Sequence, residues 1–197
     1  MISAIYDRRS IRKFTDKPIA DKDIADIIQS GIKAPSSKNR QPWKYIVVQG
    51  EAKEEMLDAF RRGIKREENN NALLPQSRQH IITAKHTIDI MAEAPLIVCV
   101  VNSLGKSIAE ELTVEERVYE ICNIQSIGAS IQNMLLAATE KGIGSLWICD
   151  IYFGYPELCK WLNGDGQLIA AIAFGYPDEF PEERPRKRIE DVVEWRR

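Results

Sequence analysis

The stretch VEERVYEICNIQSIGASIQNMLLAATEKGIGSLWICD, residues 114–150, joins a long helical pattern to a short strand pattern. Val118, Ile121, Ile124, Ile127, Ile131, Met134, Leu135 and Ala138 recur every three or four positions. That spacing keeps side chains on one helical face and predicts a helix over residues 114–141. Gly142 follows directly, where a helix end favours a residue free to turn left-handed. Residues 145–149 then read as a buried strand. Gly128, Ala129 and Ser130 would let another helix approach closely, and packing within one subunit would look the same. The run from Ile124 to Ala138 is apolar enough that a second subunit is expected to cover it.

Working outward, three more apolar blocks read as strands: residues 45–48, 96–101 and 168–174. Helices are expected between them. Residues 21–33 place Ile24, Ile27, Ile28 and Ile32 on one face. Residues 51–66 do the same with Met56, Leu57, Phe60 and Ile64, and Pro156 can open a short helix holding Leu158 and Trp161. Segment 63–79, with Lys65, Arg66, Glu67, Glu68, three asparagines and Pro75, reads as a mobile loop or frayed helix end. No internal repeat or Gly/Ser linker is present, so residues 1–197 are expected to form a single domain of mixed α and β elements.

Composition narrows the function classes. Of 197 residues 44% are hydrophobic and 28% charged, with a net charge of −2, so no basic excess points to nucleic acid or an anionic membrane. The apolar runs are too short to span a bilayer. Asp7, Arg8 and Arg9 stand where an export signal would be apolar, so none is expected. Cys99, Cys122, Cys149 and Cys159 form no C-x-x-C pair, and two of them lie in apolar runs where cysteine packs as a small hydrophobe. A reduced, cytoplasmic protein is the simplest expectation.

Four segments can carry chemistry. Residues 8–14 read Arg-Arg-Ser-Ile-Arg-Lys-Phe; guanidinium groups fork onto phosphate oxygens and a hydroxyl adds a neutral donor, although a solvated charged face has the same composition. Residues 34–43, Ala-Pro-Ser-Ser-Lys-Asn-Arg-Gln-Pro-Trp, set donors and acceptors between two prolines, a stiff loop suited to a heterocycle edge or to a plain helix-end turn. Residues 142–150 lead two glycines into a strand ending near Asp150, and ligands gather at strand ends. The fourth is the basic run Arg184-Pro185-Arg186-Lys187-Arg188, which alone would be a solvated tail.

In this order, Arg-Arg-Ser-x-Arg, Pro-Ser-Ser-x-Asn-x-Gln-Pro-Trp, the Gly-Ile-Gly strand and Pro-Arg-Lys, the motifs span essentially the whole chain. They resemble the FMN-dependent nitroreductase-like family. The resemblance implies an α+β fold, with a central, mostly antiparallel sheet flanked by helices. It also implies an intertwined homodimer in which residues 177–197 reach over the partner. Carried over residue by residue, Arg8, Ser10 and Arg186 would hold the FMN phosphate, with Arg9 adding contacts nearby. Arg12 would face the N1/C2 carbonyl edge of the ring. Pro35, Ser36, Ser37 and Asn39 would come from the partner subunit. Trp147, Ile148, Cys149 and Asp150 would line the ring near N5, where some relatives carry Pro-Ile-Glu-Gly. That departure leaves open which main-chain N–H faces N5. Arg184 or Arg188 can also replace or assist Arg186.

The implied activity is electron transfer from NADH or NADPH, through FMN, to a small acceptor such as a nitroaromatic or quinone. No side chain is expected to act as a nucleophile, because the cofactor carries the chemistry. The alternatives are an FMN store or sensor without turnover and a relative that remodels the flavin. Gly105-Lys106-Ser107 fails as a phosphate loop, because Val100 occupies the position of the required glycine. His80 and His86 are six apart and expected on a polar surface, so no metal site is expected. No Gly-x-Gly-x-x-Gly fingerprint exists for a Rossmann nicotinamide site.

Overall fold

The computed structural model of the chain describes residues 2–69, 71–164 and 166–197; Asn70, within segment 63–79, lies outside the described residues. The first half contains α1 (Ser3–Asp7), α2 (Asp21–Ile32), β1 (Trp43–Val48), α3 (Gly50–Glu68) and α4 (Ile81–Glu93). The second half contains β2 (Leu96–Asn102), α5 (Val114–Glu140), β3 (Gly144–Ile148), α6 (Tyr155–Leu162) and β4 (Gln167–Gly175). Each of the four expected strands forms, with ends shifted by one or two residues.

The strands make one antiparallel sheet in the order β1-β2-β4-β3, with Tyr45 opposite Val100, Val98 opposite Ile172 and Leu146 opposite Ala173. Side chains alternate across a strand, so β2 feeds two cores. Ile97, Cys99 and Val101 pack with α3, α4 and α6, whereas Leu96, Val98 and Val100 pack with α2 and α5. The result is an α+β architecture: a sheet between two helical layers. Both central strands are buried on both faces, which is why each reads as an unbroken apolar run.

Helix α5 has defined ends. Thr113 Oγ1 accepts the Glu116 N–H at 3.2 Å, and Glu116 Oε2 accepts the Thr113 N–H at 2.8 Å, a reciprocal cap worth on the order of 1 kcal/mol. The bond from Lys106, with those from Thr113, holds the Glu116 carboxyl at about 2. At the other end Gly142 takes φ +68°. Its N–H reaches the Thr139 carbonyl at 3.0 Å, and the Ile143 N–H reaches that of Ala138 at 2.9 Å, completing the left-handed cap.

Several expectations need correction. Within α5, Ile127, Ile131, Met134, Leu135 and Ala138 are buried by the chain's own sheet and α2. The apolar positions left facing water lie nearer the N-terminus: Val114, Val118, Ile121 and Ile124. Strand β3 stops at Ile148, and Cys149 is exposed rather than packed. Helices α1 and α4 were not anticipated. Among the described residues, no helix is long and apolar enough to cross a membrane.

The described residues of segment 63–79, read as a mobile loop or frayed helix end, are largely helical. Helix α3 continues through Glu68, and Pro75–His80 form helical turns. Gly63 brings α3 into backbone contact with the following layer, since a Cβ there would stand 2.3 Å from the Gly154 Cα. Glu67, fully buried, pairs with Arg66 and accepts the N–H groups of Leu73 at 2.8 Å and Leu74 at 3.0 Å. Arg66 in turn grips Glu157 of α6 at 2.8 Å. One carboxylate therefore closes the corner. Replacing it removes the acceptor for two main-chain donors and breaks a buried pair. Glu67→Ala should cost about 3 kcal/mol or more, measured by urea denaturation; an unchanged midpoint would show that the corner is held by other contacts.

Candidate functional site

The N-terminal arm is fixed by main-chain bonding and burial. Ser10 forms a parallel bridge with Ser145 of β3, the Ile11 N–H donates to the Ser145 carbonyl at 3.0 Å, and Ile11 and Phe14 enter the core. This pins the intervening polar side chains at the sheet edge. Arg8, Arg9, Ser10 and Arg12 line a cavity of about 300 Å³, closed on its other side by residues 181–184 and Arg186. Five guanidinium groups thus face two carboxylates, Glu182 and Glu183.

Little neutralises that charge. Arg9 stands 3.9 Å from Glu183. Arg12 and Arg186 donate to main-chain carbonyls, of Ser10 at 3.2 Å and Arg184 at 2.9 Å. Glu179 is occupied by the Arg12 N–H. Burial, with the neighbouring charges of Arg186 and Arg9, pushes the Arg8 pKa down from the ordinary guanidinium value. Like charges gathered at a half-enclosed site favour an anionic occupant with several acceptor oxygens.

Strand β3 presents a second set of groups. It pairs with β4 along one edge only. Ser145 gives its carbonyl to Ile11 on the opposite edge. With a period of two, the N–H groups of Trp147 and Cys149 point to that same open edge, and that of Ile148 points into the sheet. The Trp147 side chain is 39% exposed and lies over Gly128 of α5. The Ile148 side chain belongs to the core. The Asp150 carboxylate accepts the Thr87 hydroxyl at 2.6 Å, which ties it to α4.

The residues of the 35–39 loop are brought together, but elsewhere. The Ser37 N–H donates to Ser126 Oγ of α5 at 3.3 Å, and the Gln41 N–H donates to Ser36 Oγ at 3.0 Å. Pro35, Ser37 and Asn39 are exposed, and Ser36 is half-buried. Lys38, Asn39 and Gln41 all take left-handed φ values of 52°, 53° and 47°. Helix α1, next to the arginine cavity, packs near Glu140 at the far end of α5. From Ser126 to Glu140 is about 21 Å along the helix at 1.5 Å per residue. One chain therefore unites Arg8, Arg9, Ser10, Arg12 and Arg186, and leaves the loop on a separate surface.

Ser126, which anchors the loop, was not anticipated, nor were Asn123 and Tyr119, about one and two turns before it. Only the small residues just downstream of Ser126 hinted at a close approach. Glu182 and Glu183, which face the arginine cavity, carried no sequence signal beyond their place in a polar tail.

Comparison with known proteins covers most of the chain. The Nitroreductase family model matches residues 5–176. A protein of Archaeoglobus fulgidus, provisionally named an NADH dehydrogenase/NAD(P)H nitroreductase, is 33% identical over 148 residues, which are 75% of this chain and 66% of that protein. A Bacillus subtilis protein, provisionally named NAD(P)H nitroreductase YfhC, is 28% identical over 95% of this chain and 89% of its own length. Among solved structures, a provisionally named nitroreductase of Desulfovibrio desulfuricans in complex with FMN superposes with a TM-score of 0.71 at 27% identity. That superposition covers 98% of this chain and 95% of the other.

Proposed function

The chain belongs to the nitroreductase family, and from that premise we propose that it is an FMN-dependent oxidoreductase. Two copies would hold two FMN molecules and pass electrons from NADH or NADPH to a small acceptor such as a nitroaromatic or quinone. The observation that carries this reading is the arginine cavity. Its donor set fits a phosphate monoester: separated guanidinium groups, one hydroxyl and an Arg8 whose charge is disfavoured by burial and by its like-charged neighbours. The FMN complex of the Desulfovibrio relative supports the cofactor.

Arg8, Ser10 and Arg186 would grip the phosphate, with Arg9 and Arg184 beside them. Arg12 would set a fixed positive charge at the N1/C2 edge of the ring. The N–H groups of Trp147 and Cys149, at the open edge of β3, are the candidates to face N5. When bound, FMN supplies the redox chemistry, accepting hydride from the nicotinamide and yielding electrons to the acceptor. The protein anchors, orients and shields it. No side chain is assigned proton transfer.

Pro35, Ser36, Ser37 and Asn39 would reach the FMN of the partner, since their own chain holds them away from its arginine cavity. A dimer also gives the exposed apolar side chains something to cover. Val114, Val118 and Ile121 line one face of α5, and Phe180, Ile189, Val192 and Trp195 stand exposed on a C-terminal segment. That segment has little regular structure beyond one short turn, Ile189–Asp191. Residues 177–197 draped over a second subunit would bury them.

Three measurements test this. Anaerobic NADH or NADPH should bleach the bound flavin, and an added quinone or nitroaromatic should restore its absorbance; binding without bleaching would reduce the protein to a flavin carrier. Arg186→Ala should weaken FMN about ten- to a hundred-fold through loss of a charge-assisted bond, while riboflavin, which lacks the phosphate, is held as before. Equal losses for both would mean that Arg186 acts through folding. Ile121→Asp, on a half-exposed face that one chain tolerates, should give a folded monomer with weak FMN binding by sedimentation and flavin titration. A persistent dimer would remove α5 from the interface.

A further inference from the structure

A second cluster of cations stands apart from the arginine cavity. The Arg40 guanidinium lies over the Tyr119 ring, 4.7 Å from its centre, and the Lys38 ammonium lies 5.6 Å from the same ring. Arg40 and Tyr119 line a further cavity of about 150 Å³ with Lys106 and Asn123. Its carboxylates are already engaged. Glu116 holds Lys106 at 2.7 Å, and Glu120 holds Arg117 at 2.7 Å and the Gln167 amide at 2.9 Å. Among the described residues, no carboxylate lies within ion-pair distance of Lys38 or Arg40. Asn123, 2% exposed at this cavity, has an Oδ1 without a hydrogen-bond partner; turned over, its amide would offer N–H instead.

The loop pays a conformational cost to present these charges. Lys38 adopts φ 52° and ψ 26°, a left-handed conformation that side chains with a Cβ disfavour. Such strain persists where surrounding contacts impose it, and it concentrates at ligand clamps. Here the flanking bonds from Ser37 to Ser126 and from Gln41 to Ser36 impose it.

Position supplies the rest. Tyr119 is seven residues before Ser126, about 10 Å along α5 at 1.5 Å per residue. Ser126 marks the loop assigned to the flavin of the partner. The charged ends, drawn onto Tyr119, are thus displaced along α5 from the loop anchor, a separation that suits the adenosine end of a nicotinamide stacked there better than its ring. We propose that Lys38 and Arg40, braced on Tyr119, recognise the 2′-phosphate of NADPH and make the chain select NADPH over NADH. A phosphate monoester carries nearly two charges at neutral pH and three acceptor oxygens, matching two unneutralised cations. The guanidinium face turned away from Tyr119 remains available to stack on adenine.

The inference rests on the redox function proposed above, and its test separates the two. The FMN-loaded protein is titrated calorimetrically with 2′,5′-ADP and with 5′-ADP, and its reduction by NADPH and NADH is followed anaerobically by stopped flow. The wild type should hold 2′,5′-ADP at least about tenfold more tightly, because a charge-assisted phosphate contact is worth that much. In Lys38→Asn/Arg40→Gln that advantage and the preference for NADPH should disappear, with reduction by NADH unchanged. Asparagine tolerates the left-handed backbone, so the loop is preserved. A wild type indifferent to the 2′-phosphate, or a variant that slows NADH and NADPH equally, overturns the assignment. So does a variant that impairs only reoxidation by an anionic acceptor. Tight 2′,5′-ADP binding through these residues without bleaching by either nicotinamide would keep the subsite and overturn the redox reading.

Discussion

Helix α5 buries Ile127, Ile131, Met134, Leu135 and Ala138 against the sheet and α2, and its position fixes the spacing of everything functional around it. The helix is capped at Thr113 and terminated at Gly142, so neither end can slide. Its Ser130 meets the Tyr45 hydroxyl of β1, its Ser126 holds the Ser37 N–H, and its far end carries α1. A rigid rod with attachments at fixed heights keeps the anchor points of the polar loop and of α1, at Ser126 and Glu140, about 21 Å apart along its axis. Neither set of contacts can be brought to the other within one chain without unpacking that face.

Separation of the loop from the arginine arm is therefore a packing consequence, and it bears on the assembly proposed above. A two-fold axis beside α5 would exchange the loops between subunits. The apolar residues left in water on α5 lie in its N-terminal half, near the loop, and not in the stretch whose composition first suggested an interface. Composition along a helix does not distinguish a face buried by its own sheet from one buried by a partner. Only the sheet position resolves this.

Much of the fold was legible because strands buried on both faces leave continuous apolar runs, as β2 and β4 do. Helix α4 was missed because its buried positions include Ala84 and Thr87, which dilute the periodicity, while Lys85, His86 and Asp89 alternate with them. Glu67 defeated the reading differently: charge was taken as a sign of solvent, yet this carboxylate is buried because three donors converge on it. One wall of the arginine cavity was legible because Arg8, Arg9, Ser10 and Arg12 are neighbours in sequence. Tyr119 and Asn123 were not, since their role depends on a loop some eighty residues away folding back onto them.

The 35–43 loop shows how such a distant contact is imposed. Left-handed backbone at Lys38, Asn39 and Gln41 is sterically unfavourable for any residue with a Cβ, by roughly 1–2 kcal/mol each in a regular left-handed helix and less for asparagine. Glycine at these positions would relieve the strain but would remove the side chains that the loop presents. Pro35 and Pro42 stiffen the entry and exit, and Ser36 and Ser126 spend their hydroxyls on main-chain N–H groups inside the turn. The backbone is therefore held by acceptor lone pairs, and the Ser36 O–H is still able to donate to a ligand. Ser37 and Asn39 face outward, with Lys38 and Arg40 turned onto Tyr119. Strain, stiffening and hydrogen bonding act on the main chain so that a short segment can expose an amide and two cations in fixed positions, which a relaxed turn of the same composition would leave free to solvate separately.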